Sequence, residues 1–160
     1  MEIIDCHFHL IPREIGEKAS FYNKTWIDMN AHLNMMDETH IAKAVISYPT
    51  TDAHVNAKEK EITVARLYNK KTAEVIRHHR DRFVGAGVIP LAEEGEMLDE
   101  LSRLLDVGFM AVSMATSYDD VYLDSEEFHP LFERISDAGL PIFVHPTTIK
   151  PIGIEQVRHP

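Results

Sequence analysis

The stretch EIIDCHFHLIPREIG, residues 2–16, decides which fold this chain can adopt. Its first half has the character of a β-strand, in which successive side chains alternate faces. Asp5, His7 and His9 then point one way and Ile4, Cys6 and Phe8 the other. One face is apolar and the other carries imidazole and carboxylate. Two neutral imidazoles on one face can chelate one cation. The segment after the strand is equally informative. A doubly wound sheet that binds a nucleotide carries a Gly-rich phosphate loop right after its first strand. Here that place is taken by HFHLIPREIG, with histidines where the glycines would be.

Downstream, short apolar runs alternate with amphipathic stretches. The runs are KAVISY (43–48), RFVGAGVI (82–89), FMAVSM (109–114) and LPIFVH (140–145). With EIIDCHF they make five strands whose Val, Ile and Phe content suits burial on both faces. Trp26, Met29, Leu33 and Met36 mark one helical face, and Ala65, Tyr68 and Val75 continue such a stripe through residues 54–80. Met97, Leu101 and Leu104 mark a third helix, stopped by Gly108. Phe128, Leu131, Phe132 and Ile135 mark a fourth, opened by Ser125 with Glu126 and Glu127 in its first turn and ended by Gly139 and Pro141. His40 stands where a glycine could end the first helix. The order βαβαβαβαβ implies parallel strands joined by right-handed crossovers. A doubly wound open sheet and a (β/α)8 TIM-type barrel both fit that order. The missing Gly-rich loop favours the barrel, with about five of its strands in this chain. No repeat, linker or low-complexity tract divides residues 1–160, so a single domain is expected.

Composition narrows the function classes. A chain of 160 residues with 44% apolar and 26% charged residues can bury an ordinary globular core. A net charge of −10 argues against a nucleic-acid partner, which calls for clustered Lys and Arg. MEIIDCHFHL has no basic n-region, and no apolar run is long enough to cross a bilayer. Cys6, the one cysteine, has no internal disulfide partner, which suits the cytoplasm.

In a barrel the functional groups gather at the C-terminal ends of the strands. His7 and His9 end the first strand, and His145 ends the fifth. Alternate strands contribute to the same interior layer, and strands one and five face each other across a closed barrel. Three imidazoles from opposite walls would thus converge on one point, and three protein ligands plus water are the usual complement of a catalytic zinc. His7, His9 and His145 are the expected metal ligands. Asp5 either orients an imidazole from behind or is a satisfied core carboxylate.

IDCHFHLIP (4–12), DRFVGAGVIPL (81–91) and AGLPIFVHP (138–146) together resemble the amidohydrolase superfamily. The similarity is strongest to the amidohydrolase-related branch that includes amino-carboxymuconate-semialdehyde decarboxylase. The resemblance implies zinc, with manganese or another divalent ion as the alternative. It implies a hydrolase or decarboxylase acting on a small organic acid, with the metal activating water or polarising the substrate. It also implies a further histidine after a sixth strand and a metal-binding aspartate after an eighth. GIEQVRHP (153–160) follows strand five closely and His159 matches neither, so the acid/base residue has no counterpart in these 160 residues. Two arrangements are expected from this: the N-terminal portion of a longer enzyme, or a half-barrel that covers itself as a homo-oligomer. The rival reading from another class is a non-catalytic metal-binding or assembly protein.

The remaining polar residues have simpler readings. Cys6 is expected to be a small buried hydrophobe. His78, His79, Arg80 and Arg82 suit a helix C-terminus. His32, His40, His54 and His129 are expected to be structural or on the surface, and Met29, Met35 and Met36 to fill the core. Asp119 and Asp120 suit a solvated loop. YPTT (48–51) and TSYD (116–119) are substrate-contact candidates from position alone.

Overall fold

A computed structural model of the chain describes residues 2–18, 24–49 and 60–146. Five strands form one parallel sheet: β1 (Ile3–His9), β2 (Ile41–Ser47), β3 (Phe83–Val88), β4 (Ala111–Ala115) and β5 (Ile142–His145). Their spatial order is their sequence order, β1-β2-β3-β4-β5, and each neighbouring pair is parallel. A doubly wound sheet must reverse direction at a switch point. This sheet never reverses, so right-handed crossovers put every helix on the same outer side. That is the arrangement of a partial (β/α)8 barrel.

Among the described residues the four longer helices are α1 (Met29–Glu38), α2 (Glu61–His78), α3 (Glu94–Val107) and α4 (His129–Asp137). Asp28 caps α1 by accepting from the Ala31 N–H at 3.0 Å. Helix α3 ends as the sequence implies, with Gly108 at φ 88° and the Phe109 N–H reaching the Leu104 carbonyl. His40 adopts φ 59° after α1, taking the left-handed position a glycine would fill. The start of the last helix differs from expectation. Residues Glu126–Phe128 form a 3-10 turn, and Ser125 makes no side-chain cap bond. Pro130 lies in the first turn of α4 and supplies no N–H, so the regular helix begins only at His129. Of the long stripe over residues 54–80, the helix occupies 61–78; the part at 54–59, His54 included, lies outside the described residues.

The core lies between sheet and helices. Phe8, Ile46, Met36, Tyr68 and Phe83 pack on one half, and Val112, Met114, Leu101, Leu104, Phe128 and Leu131 on the other. Strand β3 lets α2 and α3 come close because two of its residues have no side chain. A Cβ on Gly87 would sit 2.5 Å from the Leu104 methyls, and one on Gly85 would run into Ile76 and Phe109. Burial on both faces holds for β3 and β4 but not for the sheet edges. Ile3, Ile4, Ile142 and Val144 of β1 and β5 are exposed, because among the described residues each of these strands has a neighbour on one side only. Among the described residues no helix is long and apolar enough to cross a membrane.

Candidate metal centre

The C-terminal ends of β1 and β5 bring three imidazoles together. The Nε2 atoms of His7 and His9 are 3.1 Å apart, and the ring centroids of His7 and His145 are separated by 5.4 Å. One ring nitrogen from each of His7, His9 and His145 lies within 4.8 Å of the others. The alternation expected of β1 is interrupted on the way. Between Asp5 and Phe8 the strand spans three steps while β2 spans two, which is a β-bulge at Cys6 and His7. The His7 N–H donates instead to Asp5 Oδ1 at 2.9 Å. Asp5 therefore holds the backbone of the bulge. The bulge also corrects the expectation for Cys6, which is exposed rather than buried.

Two backbone carbonyls set which nitrogens face inward. His9 Nδ1 lies 3.2 Å from the Ser47 carbonyl, and His145 Nδ1 lies 2.9 Å from the Pro146 carbonyl. A carbonyl only accepts, so in both rings Nδ1 carries the proton and Nε2 keeps its lone pair. Such outer partners are what metal-ligating histidines use to fix their tautomer. Burial, with His7 and His145 nearby, lowers the His9 pKa from the ordinary imidazole value; the Ser47 bond and Asp5 oppose the shift. A neutral ring is the form that binds metal. The donor set suits a divalent cation. Metal–nitrogen bonds of about 2.0–2.1 Å set tetrahedral ligand nitrogens about 3.4 Å apart, so binding would draw the rings together by up to about an ångström. Trp26 flanks this group, its ring 5.5 Å from that of His9 at 67°.

The other candidates fall elsewhere. Tyr48 is fully buried, which removes it as a substrate contact; it packs on Tyr68 with centroids 4.6 Å apart. Thr50 and Thr51 lie outside the described residues, as does His159. The Tyr118 hydroxyl accepts from the Ala115 N–H and donates to the Ile89 carbonyl, so it braces the end of β4 rather than meeting substrate. Asp119, at φ 50°, and Asp120 form the exposed turn of a small hairpin, as a solvated loop would. His32 is buried against Phe8, and His40 and His129 are exposed. Arg82 is not a helix-end residue. It ties down the start of β2 through the Ile41 and Ala42 carbonyls and pairs with Asp37 at 2.8 Å. A groove of about 930 Å³ runs between α2 and α3 on the helical side, away from the three histidines.

The Amidohydrolase family model matches residues 4–159. A gamma-resorcylate decarboxylase of Rhodococcus jostii is 26% identical over 164 residues, covering 89% of this chain and 49% of the relative. A 2-amino-3-carboxymuconate-6-semialdehyde decarboxylase of Dictyostelium discoideum is 27% identical over 86 residues, covering 53% of this chain and 24% of the relative. A 5-carboxyvanillate decarboxylase of Novosphingobium aromaticivorans, solved with manganese and 4-hydroxy-3-methoxy-5-nitrobenzoic acid, shares 21% identity at a TM-score of 0.76. That match covers 96% of this chain and 52% of the other. The chain thus spans about half the length, or less, of the relatives it matches.

Proposed function

The chain belongs to the amidohydrolase family, and from that membership we propose that it acts as a metal-dependent decarboxylase of small aromatic carboxylic acids. One observation carries the reading. Three imidazoles converge at the C-terminal strand ends, two of them with Nε2 lone pairs turned inward by backbone carbonyls. The names of the decarboxylases it resembles suggest the reaction class and the aromatic acid.

His7, His9 and His145 would hold one divalent cation, zinc or manganese, the latter present in a structural neighbour. When bound, such an ion polarises a substrate oxygen and stabilises the charge that develops there. The residues of this chain supply the rest. The Ser47 and Pro146 carbonyls keep His9 and His145 in the ligating tautomer, and Asp5 fixes the bulge that aims His7. Loss of carbon dioxide leaves an electron pair on the ring carbon, and a proton must replace the carboxylate there. The three ligating imidazoles cannot give that proton while they coordinate, so a separate general acid is required. A reducing compartment such as the cytoplasm would keep the exposed thiol of Cys6 free.

The test is made on the full-length protein. Metal analysis is expected to give about one divalent ion per chain, and incubation with 2,6-dihydroxybenzoate to release carbon dioxide. His7→Ala should lose both. Stoichiometric metal without carbon dioxide release from any hydroxybenzoate would leave a metal-binding protein and sink the decarboxylase.

A further inference from the structure

Building on the decarboxylase reading, we propose that Trp26 is the specificity-determining wall of the substrate site, the surface on which the aromatic ring of the acid packs. Trp26 is the only tryptophan in the 160 residues. It sits in the 3-10 turn Lys24–Ile27, between β1 and α1, and so at the C-terminal strand ends where the histidines converge. The Ile11 N–H donates to the Trp26 carbonyl at 2.9 Å, which holds that turn in place. One part of the indole packs against the core. The side chain nonetheless stays half-buried, leaving apolar surface uncovered next to a polar ring.

The placement relative to His9 makes that uncovered surface useful. His9 Nδ1 is engaged with Ser47, and its Nε2 faces His7, while the indole flanks the same ring. A substrate oxygen on a cation held at that Nε2 would bring the substrate's ring within reach of Trp26. Aromatic pairs favour offset or edge-on contact with centroids about 4.5–7 Å apart. The contribution of such a pair corresponds to about a two- to tenfold gain in affinity. An aliphatic ring of similar size fills the space without the matching quadrupole. Trp26 thus selects flat, unsaturated acids over saturated ones, and it does so with little conformational entropy to lose because the turn is already fixed.

The experiment uses the full-length protein loaded with Mn2+. Binding of 2,6-dihydroxybenzoate and of cyclohexanecarboxylate is measured by calorimetry in the wild type, Trp26→Leu and Trp26→Phe. Trp26→Leu is expected to weaken 2,6-dihydroxybenzoate binding by about three- to tenfold, with Trp26→Phe restoring most of it. Cyclohexanecarboxylate should change by less than about twofold, and Mn2+ affinity should stay the same in all three. The fluorescence difference between wild type and Trp26→Phe should quench saturably as 2,6-dihydroxybenzoate is added, which keeps the test open if Trp26→Leu does not fold. Unchanged 2,6-dihydroxybenzoate affinity in Trp26→Leu, a flat fluorescence difference, or equal losses for both acids would overturn the proposal. A parallel loss of Mn2+ affinity would overturn it too, making Trp26 a brace for His9. A wild type that binds no Mn2+ or neither acid defeats the decarboxylase reading itself, before any variant is compared, and this proposal falls with it.

Discussion

The rings of His7 and His145 lie 5.4 Å apart although their strands stand at opposite edges of the sheet. Laid flat, four inter-strand steps of about 4.8 Å would separate those edges by about 19 Å, too far for two imidazoles to meet. The sheet must therefore curl toward the side away from its helices. What permits the curl is close packing on the outer face, where Gly85 and Gly87 admit Ile76, Phe109 and Leu104.

Gly87→Ala is expected to destabilise the fold by about 1–3 kcal/mol, since the new methyl overlaps the Leu104 side chain in a filled core. Chemical denaturation measures it. In the double variant with Leu104→Ala the loss should be smaller than the sum of the single losses, because the second change makes room for the first. Strict additivity would mean that the contact does not govern this packing.

Removing His145 should be worse for the metal than removing any outer partner. Loss of an outer partner typically lowers metal affinity about 10–100-fold. His145→Ala is expected to exceed that range, measured by calorimetry with Mn2+ on the full-length protein. Ser47→Ala should have a small effect, because the backbone carbonyl that holds His9 Nδ1 remains. Wild-type affinity in His145→Ala would remove β5 from the centre.

Asn69 clamps the end of β3 to the helices. Its amide donates to the Val88 carbonyl and to Glu100 at 2.8 and 2.9 Å, and its oxygen accepts from the Val88 N–H at 2.8 Å. Asn69→Ala leaves those buried groups short of partners, at a cost of about 3 kcal/mol. Thermal or denaturant unfolding should show it, and a loss below about 1 kcal/mol would mean water replaces the amide.

That clamp marks the boundary of what the sequence made legible. The strands, the four longer helices and the parallel pairing follow from apolar periodicity and stop signals, which depend only on side-chain type. His7 and His9 were visible through spacing, and His145 through its place at the end of an apolar run. Asn69 and Glu100 look like surface residues of amphipathic helices, because their burial depends on two helices meeting. The bulge in β1 was hidden since alternation looks intact on paper. Ser47 and Pro146 act through backbone carbonyls, which have no side-chain signature at all. Trp26 was legible only as an apolar helix position, because its 3-10 turn folds back over the strand ends.

Stability of the metal-free protein should fall as the pH is lowered below about 6.5. Burial holds the His32 pKa below its ordinary value of 6.5, against the opposing effects of its bond to Trp26 and of Asp28. As pH drops, the unfolded chain takes up the proton first, so the unfolded state binds more protons and folding is penalised. The contribution is fully present above the unfolded value and is lost as pH falls toward the folded one. Urea midpoints at pH 7.5 and 5.5 test this, and His32→Leu should flatten the difference. An unchanged slope in that variant would exclude His32 as its source.

The exposed edges make a last prediction about a polypeptide confined to these 160 residues. Ile3 and Ile4 on β1 and Ile142 and Val144 on β5 are exposed and apolar, and among the described residues no strand pairs with either outer edge. The bulge in β1 disturbs its pairing with β2 but leaves the outer edge of that strand open. Such edges recruit further strands. In a closed barrel, strands beyond the fifth supply them. Alone, residues 1–160 are expected to self-associate, seen as a mass above one chain in light scattering at micromolar concentration. Lys placed at Ile4 and Val144 should reduce the association by charging both edges. A wild-type polypeptide that stays monomeric at that concentration would show that these exposed edges do not drive association.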